Sequence, residues 1–122
     1  MPYKILLVDD SDIVLNLHAY ILRAAGYQCA AAENGYIALE MLMKESFDLV
    51  ITDINMPRMH GYELSRQIRK TEGYQDVPII IISTEEEFKD KIKGMESGAN
   101  VYIIKPAQPD NLVLNVKMLL PD

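Results

Sequence analysis

The chain has 122 residues, 49% hydrophobic and 25% charged, the proportions of a single globular domain, 1–122, with one core. Eighteen acidic residues against twelve basic ones leave a formal charge of −6, which argues against this domain gripping a nucleic-acid backbone. A lone cysteine, Cys29, excludes an internal disulfide and a cysteine metal cluster, and no run approaches the ~18 apolar residues of a membrane span.

Lys4–Val8 reads as a buried strand running straight into Asp9-Asp10. Ser11 or Asp12 then caps a helix that continues to about Ala25, with Gly26 as its stop. On a helical wheel Ile13, Val14, Leu17, Ile21 and Ala24 share one face, which is expected to pack onto a sheet. Gln28–Ala32 is a weaker second strand, with Cys29 read as a small core residue beside Ala30. Asn34-Gly35 opens a second helix with Ala38, Leu39 and Leu42 inward, and Leu49–Asp53 is the third strand.

Asn55–Gly61 contains Pro57 and Gly61 and reads as a loop before a helix that turns Leu64 and Ile68 inward and ends near Gly73. Val77–Ile82 is apolar without alternation, as a strand covered on both faces should be. It ends on Ser83-Thr84 and leads to a helix over Glu85–Ser97 with Phe88, Ile92 and Met95 on one stripe. Val101–Ile104 is the fifth strand, ending on Lys105-Pro106, and a last helix starts at Pro109. In that helix Leu112, Val113, Val116, Leu119 and Leu120 form the inward stripe, which leaves Leu114 and Met118 outside. Five strands alternating with five helices imply an α/β parallel sheet, with ligands outside the carboxyl ends of its strands.

At that edge the polar endings of four strands meet. Asp9, Asp10 and Asp53 suit a hard divalent cation such as Mg²⁺, which wants about six oxygens at ~2.0–2.1 Å, and Asn55 could lend its backbone carbonyl. Lys105 and the Ser83 hydroxyl are placed to hold an anion. Asp53 is either a ligand alone or a nucleophile as well, since carboxylates form acyl phosphates in some phosphoryl transfers. The bond before Pro106 is a candidate for the cis form, which only ~5–6% of such bonds adopt, because Lys105 must swing into the pocket. His18 and His60 lack metal-ligand spacing and read as ordinary helix and loop residues. Glu85-Glu86-Glu87 reads as a solvated first helical turn.

Four segments in order carry a specific likeness: Ile-Leu-Leu-Val-Asp-Asp-Ser, Asp-Leu-Val-Ile-Thr-Asp-Ile-Asn-Met-Pro-Arg-Met-His-Gly, Val-Pro-Ile-Ile-Ile-Ile-Ser-Thr and Gly-Ala-Asn-Val-Tyr-Ile-Ile-Lys-Pro. Together they resemble the receiver domain of two-component response regulators along the whole chain. The resemblance implies a flavodoxin-like doubly wound sheet of order 2-1-3-4-5, for which a chemotaxis receiver is a standing example. It implies that Asp53 accepts a phosphoryl group from a sensor histidine kinase or phosphotransfer protein. Asp9 and Asp10 would organise Mg²⁺ with the carbonyl of Asn55, Ser83 would be the switch hydroxyl, Tyr102 the switch aromatic and Lys105 the phosphate contact. Asn55 and Glu85 would flank the path of the water that ends the phosphorylated state. Leu114 and Met118, adjoining Tyr102 and the fourth helix, would contact an output partner or a second copy.

Without a long apolar run or a charged-then-apolar leader the sequence reads as cytoplasmic, and the resemblance implies a protein whose only chemistry is on itself, autocatalytic phosphotransfer and self-dephosphorylation. The rival reading, an aspartyl phosphohydrolase, expects Asp-x-Asp where this chain has Asp53-Ile54-Asn55. No output segment follows the last helix, so the sequence reads as a stand-alone receiver or as one cut from a longer regulator.

Overall fold

In this computed structural model, which describes residues 2–84 and 88–121, strands and helices alternate without exception. The order is β1 (Lys4–Val8), α1 (Asp12–Ala24), β2 (Gln28–Ala32), α2 (Gly35–Lys44), β3 (Leu49–Thr52), α3 (Gly61–Arg69), β4 (Ile79–Ser83), α4 (Phe88–Glu96), β5 (Val101–Ile104) and α5 (Pro109–Leu119). The strands form one parallel sheet of order β2-β1-β3-β4-β5. Val8 pairs with both Ala32 and Thr52, and Ser83 pairs with Ile104, so the residues that follow each strand emerge at a common edge.

Successive strand residues serve opposite layers. Ile5, Leu7, Ile51, Ile80 and Ile82 pack with Leu15 and Leu22 of α1 and Leu112 and Val116 of α5. Leu6, Val8, Val50, Ile79 and Ile81 pack with Ala38 and Leu42 of α2 and Leu64 and Ile68 of α3. Burial on both faces explains the unbroken apolar runs of β3 and β4. Leu114 and Met118 lie outside on α5, as its periodicity predicts. Cys29 is half-buried against the α1 and α5 layer.

α1 turns a different face inward from the one its helical wheel suggests. Leu15, His18, Ala19 and Leu22 are buried, while Ile13 and Leu17 are 81% and 53% exposed, and Ala24 is exposed too. Both sets keep helical spacing, so the period alone cannot choose between them. Attachment to β1 sets the phase: Ser11 N–H donates to Asp9 Oδ1 at 2.9 Å, and Ser11 Oγ accepts from Val14 N–H at 3.3 Å.

Three boundaries also move. α3 ends at Arg69, four residues before Gly73: the Lys70 and Thr71 N–H groups tighten to i−3 acceptors, Gln67 O and Ile68 O, and the Thr71 hydroxyl donates to Gln67 O at 2.7 Å. The guanidinium of Arg69 bonds the Gly98 and Val77 carbonyls. β4 begins at Ile79, since Pro78 has no N–H for the ladder. α4 is described from Phe88; the expected first turn at Glu85-Glu86-Glu87 and the Phe88 side chain lie outside the described residues. Ile92 and Met95 are exposed on α4, where Gly94 is buried, as is Ser97 just past its end.

Candidate functional site

Asp9 and Asp53 stand one residue past paired strand ends, and their amides still belong to the ladder. Asp9 N–H donates to Ala32 O at 3.1 Å, and Asp53 N–H to Val8 O at 3.0 Å. Their backbones are therefore as rigid as the sheet, while their side chains clear its edge. Carboxylate oxygens of Asp9, Asp10 and Asp53 all lie within 4.8 Å of one another, with Asp9 and Asp53 buried and Asp10 exposed. Lys105, carried in from β5, places Nζ 2.9 Å from Asp9 Oδ2 and 3.4 Å from Asp53 Oδ2. The Lys105–Pro106 bond is cis, as its position suggests.

The electrostatics of this cluster favour a cation. Two unit charges 4.8 Å apart repel by about 3.5 kcal/mol at an effective dielectric of 20. Three carboxylates and one ammonium carry a formal −2, which one divalent cation would cancel. The donors are all oxygens and one of them opens to solvent, the chemistry of a Mg²⁺ site that keeps part of its water. Burial raises the Asp53 pKa, opposed by Lys105 and by the Ile54 N–H bond, with Asp9 raising it further. Burial pulls the Lys105 pKa down, but the bond to Asp9 and the charges of Asp53 and Asp9 outweigh it and the net shift is upward.

The loop after β3 holds Asp53 from behind. Its Oδ1 accepts the Ile54 N–H at 2.8 Å, and its carbonyl accepts the Thr52 hydroxyl at 2.9 Å. Gly61 sits so close that a Cβ there would fall 2.1 Å from the Asp53 carbonyl oxygen. Arg58, within this loop, adopts a left-handed backbone with φ +73°.

Ser83 is fully buried at the end of β4, and its carbonyl accepts the Lys105 N–H at 2.8 Å. Tyr102 is partly buried, with its ring against the α4 backbone at Gly94. Asn55 is exposed at the mouth of a cleft shared with His60, Tyr62 and Asp90. Leu114 and Met118, 57% and 71% exposed, lie on the outer face of α5 and not among the acidic residues. Glu85 lies outside the described residues.

Sequence reasoning missed two things. His18 lines a small, mostly apolar cavity that Asp9 and Asp53 also border, and a groove of about 290 Å³ with Val14, Leu17, Lys105 and Pro106. Burial lowers the His18 pKa, Lys105 lowers it further, and Asp9 opposes them. Leu15, His18, Ala19 and Leu22 keep helical spacing, but so does the rival set, and the period alone gave no signal for His18. The second omission is the apolar outer face of α1, where Ile13, Leu17 and Tyr20 lie exposed and Leu17 lines that groove.

Residues 5–117 match the family model described as the response regulator receiver domain. The phosphate regulon transcriptional regulatory protein PhoB of Pseudomonas aeruginosa is 38% identical over 116 residues, covering 95% of this chain and 51% of its own. The transcriptional regulatory protein SrrA of Staphylococcus aureus is 33% identical over 120 residues, covering 98% and 48%. The chain thus spans about half the length of the curated relatives it matches. Among solved structures, the chemotaxis protein CheY4 of Vibrio cholerae superposes with a TM-score of 0.94 at 33% identity, covering 98% of this chain and all of that one. A receiver domain of a signal transduction histidine kinase from Syntrophus aciditrophicus gives 0.90 at 33%, covering 97% and 89%.

Proposed function

The chain belongs to the response regulator receiver domains of two-component signalling, and from that premise we propose that it is a switch set by phosphorylation of Asp53. The observation that carries this reading is the convergence of Asp9, Asp10 and Asp53 with Lys105 Nζ, 3.4 Å from Asp53 Oδ2. Asp53 Oδ2 attacks the phosphorus of a phosphohistidine on a sensor kinase or phosphotransfer protein; the P–Oδ2 bond forms as the P–N bond breaks, and the imidazole leaves with the electron pair. Asp9, Asp10, Asp53 and the Asn55 carbonyl would hold Mg²⁺, which neutralises charge on the transferring oxygens. Lys105 moves from its carboxylate partners to a phosphoryl oxygen, and the Ser83 hydroxyl supplies a hydrogen bond to another.

The response passes through Tyr102 to a face that includes Leu114 and Met118, for an output partner or a second copy. The exposed Ile13, Leu17 and Tyr20, with Leu17 lining the groove that Lys105 and Pro106 share, suit docking by an apolar helical donor. The chemistry is confined to the chain itself: it accepts the group and loses it to water entering past Asn55. Among the described residues no helix is long and apolar enough to cross a membrane, and a cytoplasmic setting fits this reading.

The test is acetyl phosphate with Mg²⁺. Intact mass should rise by one phosphoryl group in the parent protein, and Asp53→Asn should abolish the gain. Equal labelling of the variant overturns the assignment.

A further inference from the structure

We propose that Thr52 is a positioning residue for this transfer, holding the Asp53–Ile54 peptide unit so that Asp53 presents Oδ2 to the incoming phosphorus. The inference rests on Asp53 being the phosphoacceptor.

Thr52 is fully buried at the end of β3, beside a layer of Val8, Val50, Ile54 and Met56. An uncompensated hydroxyl in such a setting costs about 1–3 kcal/mol, and valine would fill the same β-branched space without that cost. Here the hydroxyl has one good acceptor, the Asp53 carbonyl at 2.9 Å; the Met56 sulfur at 3.9 Å is a weaker neighbour. Gly61 closes the other side, since any Cβ there would come within 2.1 Å of the same oxygen. The carbonyl is thus confined between a donor and a backbone.

A trans peptide is planar, with its C=O and N–H pointing in opposite directions. Fixing the Asp53 carbonyl therefore aims the Ile54 N–H, which donates to Asp53 Oδ1 at 2.8 Å. That bond makes the two carboxylate oxygens inequivalent: Oδ1 is tied to the backbone, and Oδ2 faces Lys105 at 3.4 Å. With acetyl phosphate as donor, an Oδ2 lone pair forms the P–O bond while the bond to acetate breaks and acetate leaves with its electron pair. No proton or further reactant is required. Without the Thr52 hydroxyl the peptide unit can rock, Oδ1 loosens, and fewer collisions find Oδ2 in line.

Thr52→Val removes the hydroxyl and keeps the shape; Thr52→Ser does the reverse. Loss of one neutral hydrogen bond should slow Thr52→Val labelling by acetyl phosphate roughly three- to tenfold, while Thr52→Ser stays within about twofold of the parent. Without Mg²⁺ or donor, the Ile54 amide should exchange faster in Thr52→Val and at the parent rate in Thr52→Ser. Should Thr52→Val fail to fold, Thr52→Ala provides the same comparison. Parent-like labelling and exchange in the hydroxyl-free variant overturn the proposal, as does a serine variant as slow as the valine one. If the parent itself takes no label at Asp53, the reading of function falls, whereas amide exchange at Ile54 still judges the clamp.

Discussion

Gly61→Ala tests how tightly the loop after β3 is built. The first residue of α3 accepts alanine by its backbone torsions, so the penalty is contact alone. Its Cβ would lie 2.1 Å from the Asp53 carbonyl oxygen and 2.9 Å from Ile54 Cα, against 3.4 Å where ordinary contact begins. Both neighbours are backbone, so one chain must retreat by about 1.3 Å. Overpacking of this kind costs about 1–3 kcal/mol. Loss of the Gly61 N–H bond to Ile54 O, 2.9 Å long, adds about 0.5–1.5 kcal/mol. Alanine recovers about 0.4–1 kcal/mol by restricting the unfolded chain. The net loss is about 2 kcal/mol, a drop of roughly 6–10 °C in Tm for a domain of this size. Urea unfolding followed by far-ultraviolet circular dichroism measures it, with an unchanged slope showing that the denatured state is not the cause. A variant within about 0.5 kcal/mol of the parent would refute the contact argument, because no other compensation is large enough.

Mg²⁺ should raise the stability of the metal-stripped protein, by about 2.7 kcal/mol at a hundredfold excess over Kd, and Asp10→Ala should reduce that gain. Equal gains in both proteins would remove Asp10 from the site. Replacing Leu114 and Met118 with glutamine should leave Asp53 labelling and Tm unchanged but weaken association of the phosphorylated protein; unaltered light scattering and partner capture would make that face purely structural. Burial pushes the Cys29 thiol pKa up, with Arg23 opposing, so native alkylation by iodoacetamide at pH 8 should lag behind that in urea. The same shift means that folding disfavours the thiolate, so stability declines as pH climbs through the ordinary thiol range. Equal native and unfolded alkylation rates would contradict it.

The acidic cluster was legible because each of its members follows an apolar run, and a run covered on both faces needs no alternation to be recognised. Lys105 and Asp9 are 96 residues apart, yet a parallel order with common strand ends brings them to 2.9 Å. The rotational phase of α1 was not legible. Apolar residues surround most of that helix, and the bonds among Asp9, Ser11 and Val14, not periodicity, decide which ones face the sheet. His18 was set aside for lacking metal-ligand spacing, and its burial, which follows from that phase, was equally hidden. The hydroxyl of Thr52 was silent too. A threonine in a strand is ordinary until its acceptor is known.

The bonds of Arg69 have a mechanical consequence. Two of its nitrogens hold the Gly98 carbonyl, at 3.1 and 2.6 Å, and Ser65 Oγ holds the carbonyl of Ser97 at 3.0 Å. Both grips act just past the last turn of α4, while further along the helix Gly94 rests on the ring of Tyr102 and Ile92 and Met95 face outward. The helix is therefore a lever with its fulcrum at the edge of the sheet remote from Asp53. Its nine residues span about 13 Å, so a 10° swing about Ser97 carries the far end by about 2 Å. Near that end the Tyr62 hydroxyl donates to the Asp90 carbonyl at 3.1 Å, so a swing of that size has to carry Tyr62 with it or break this bond.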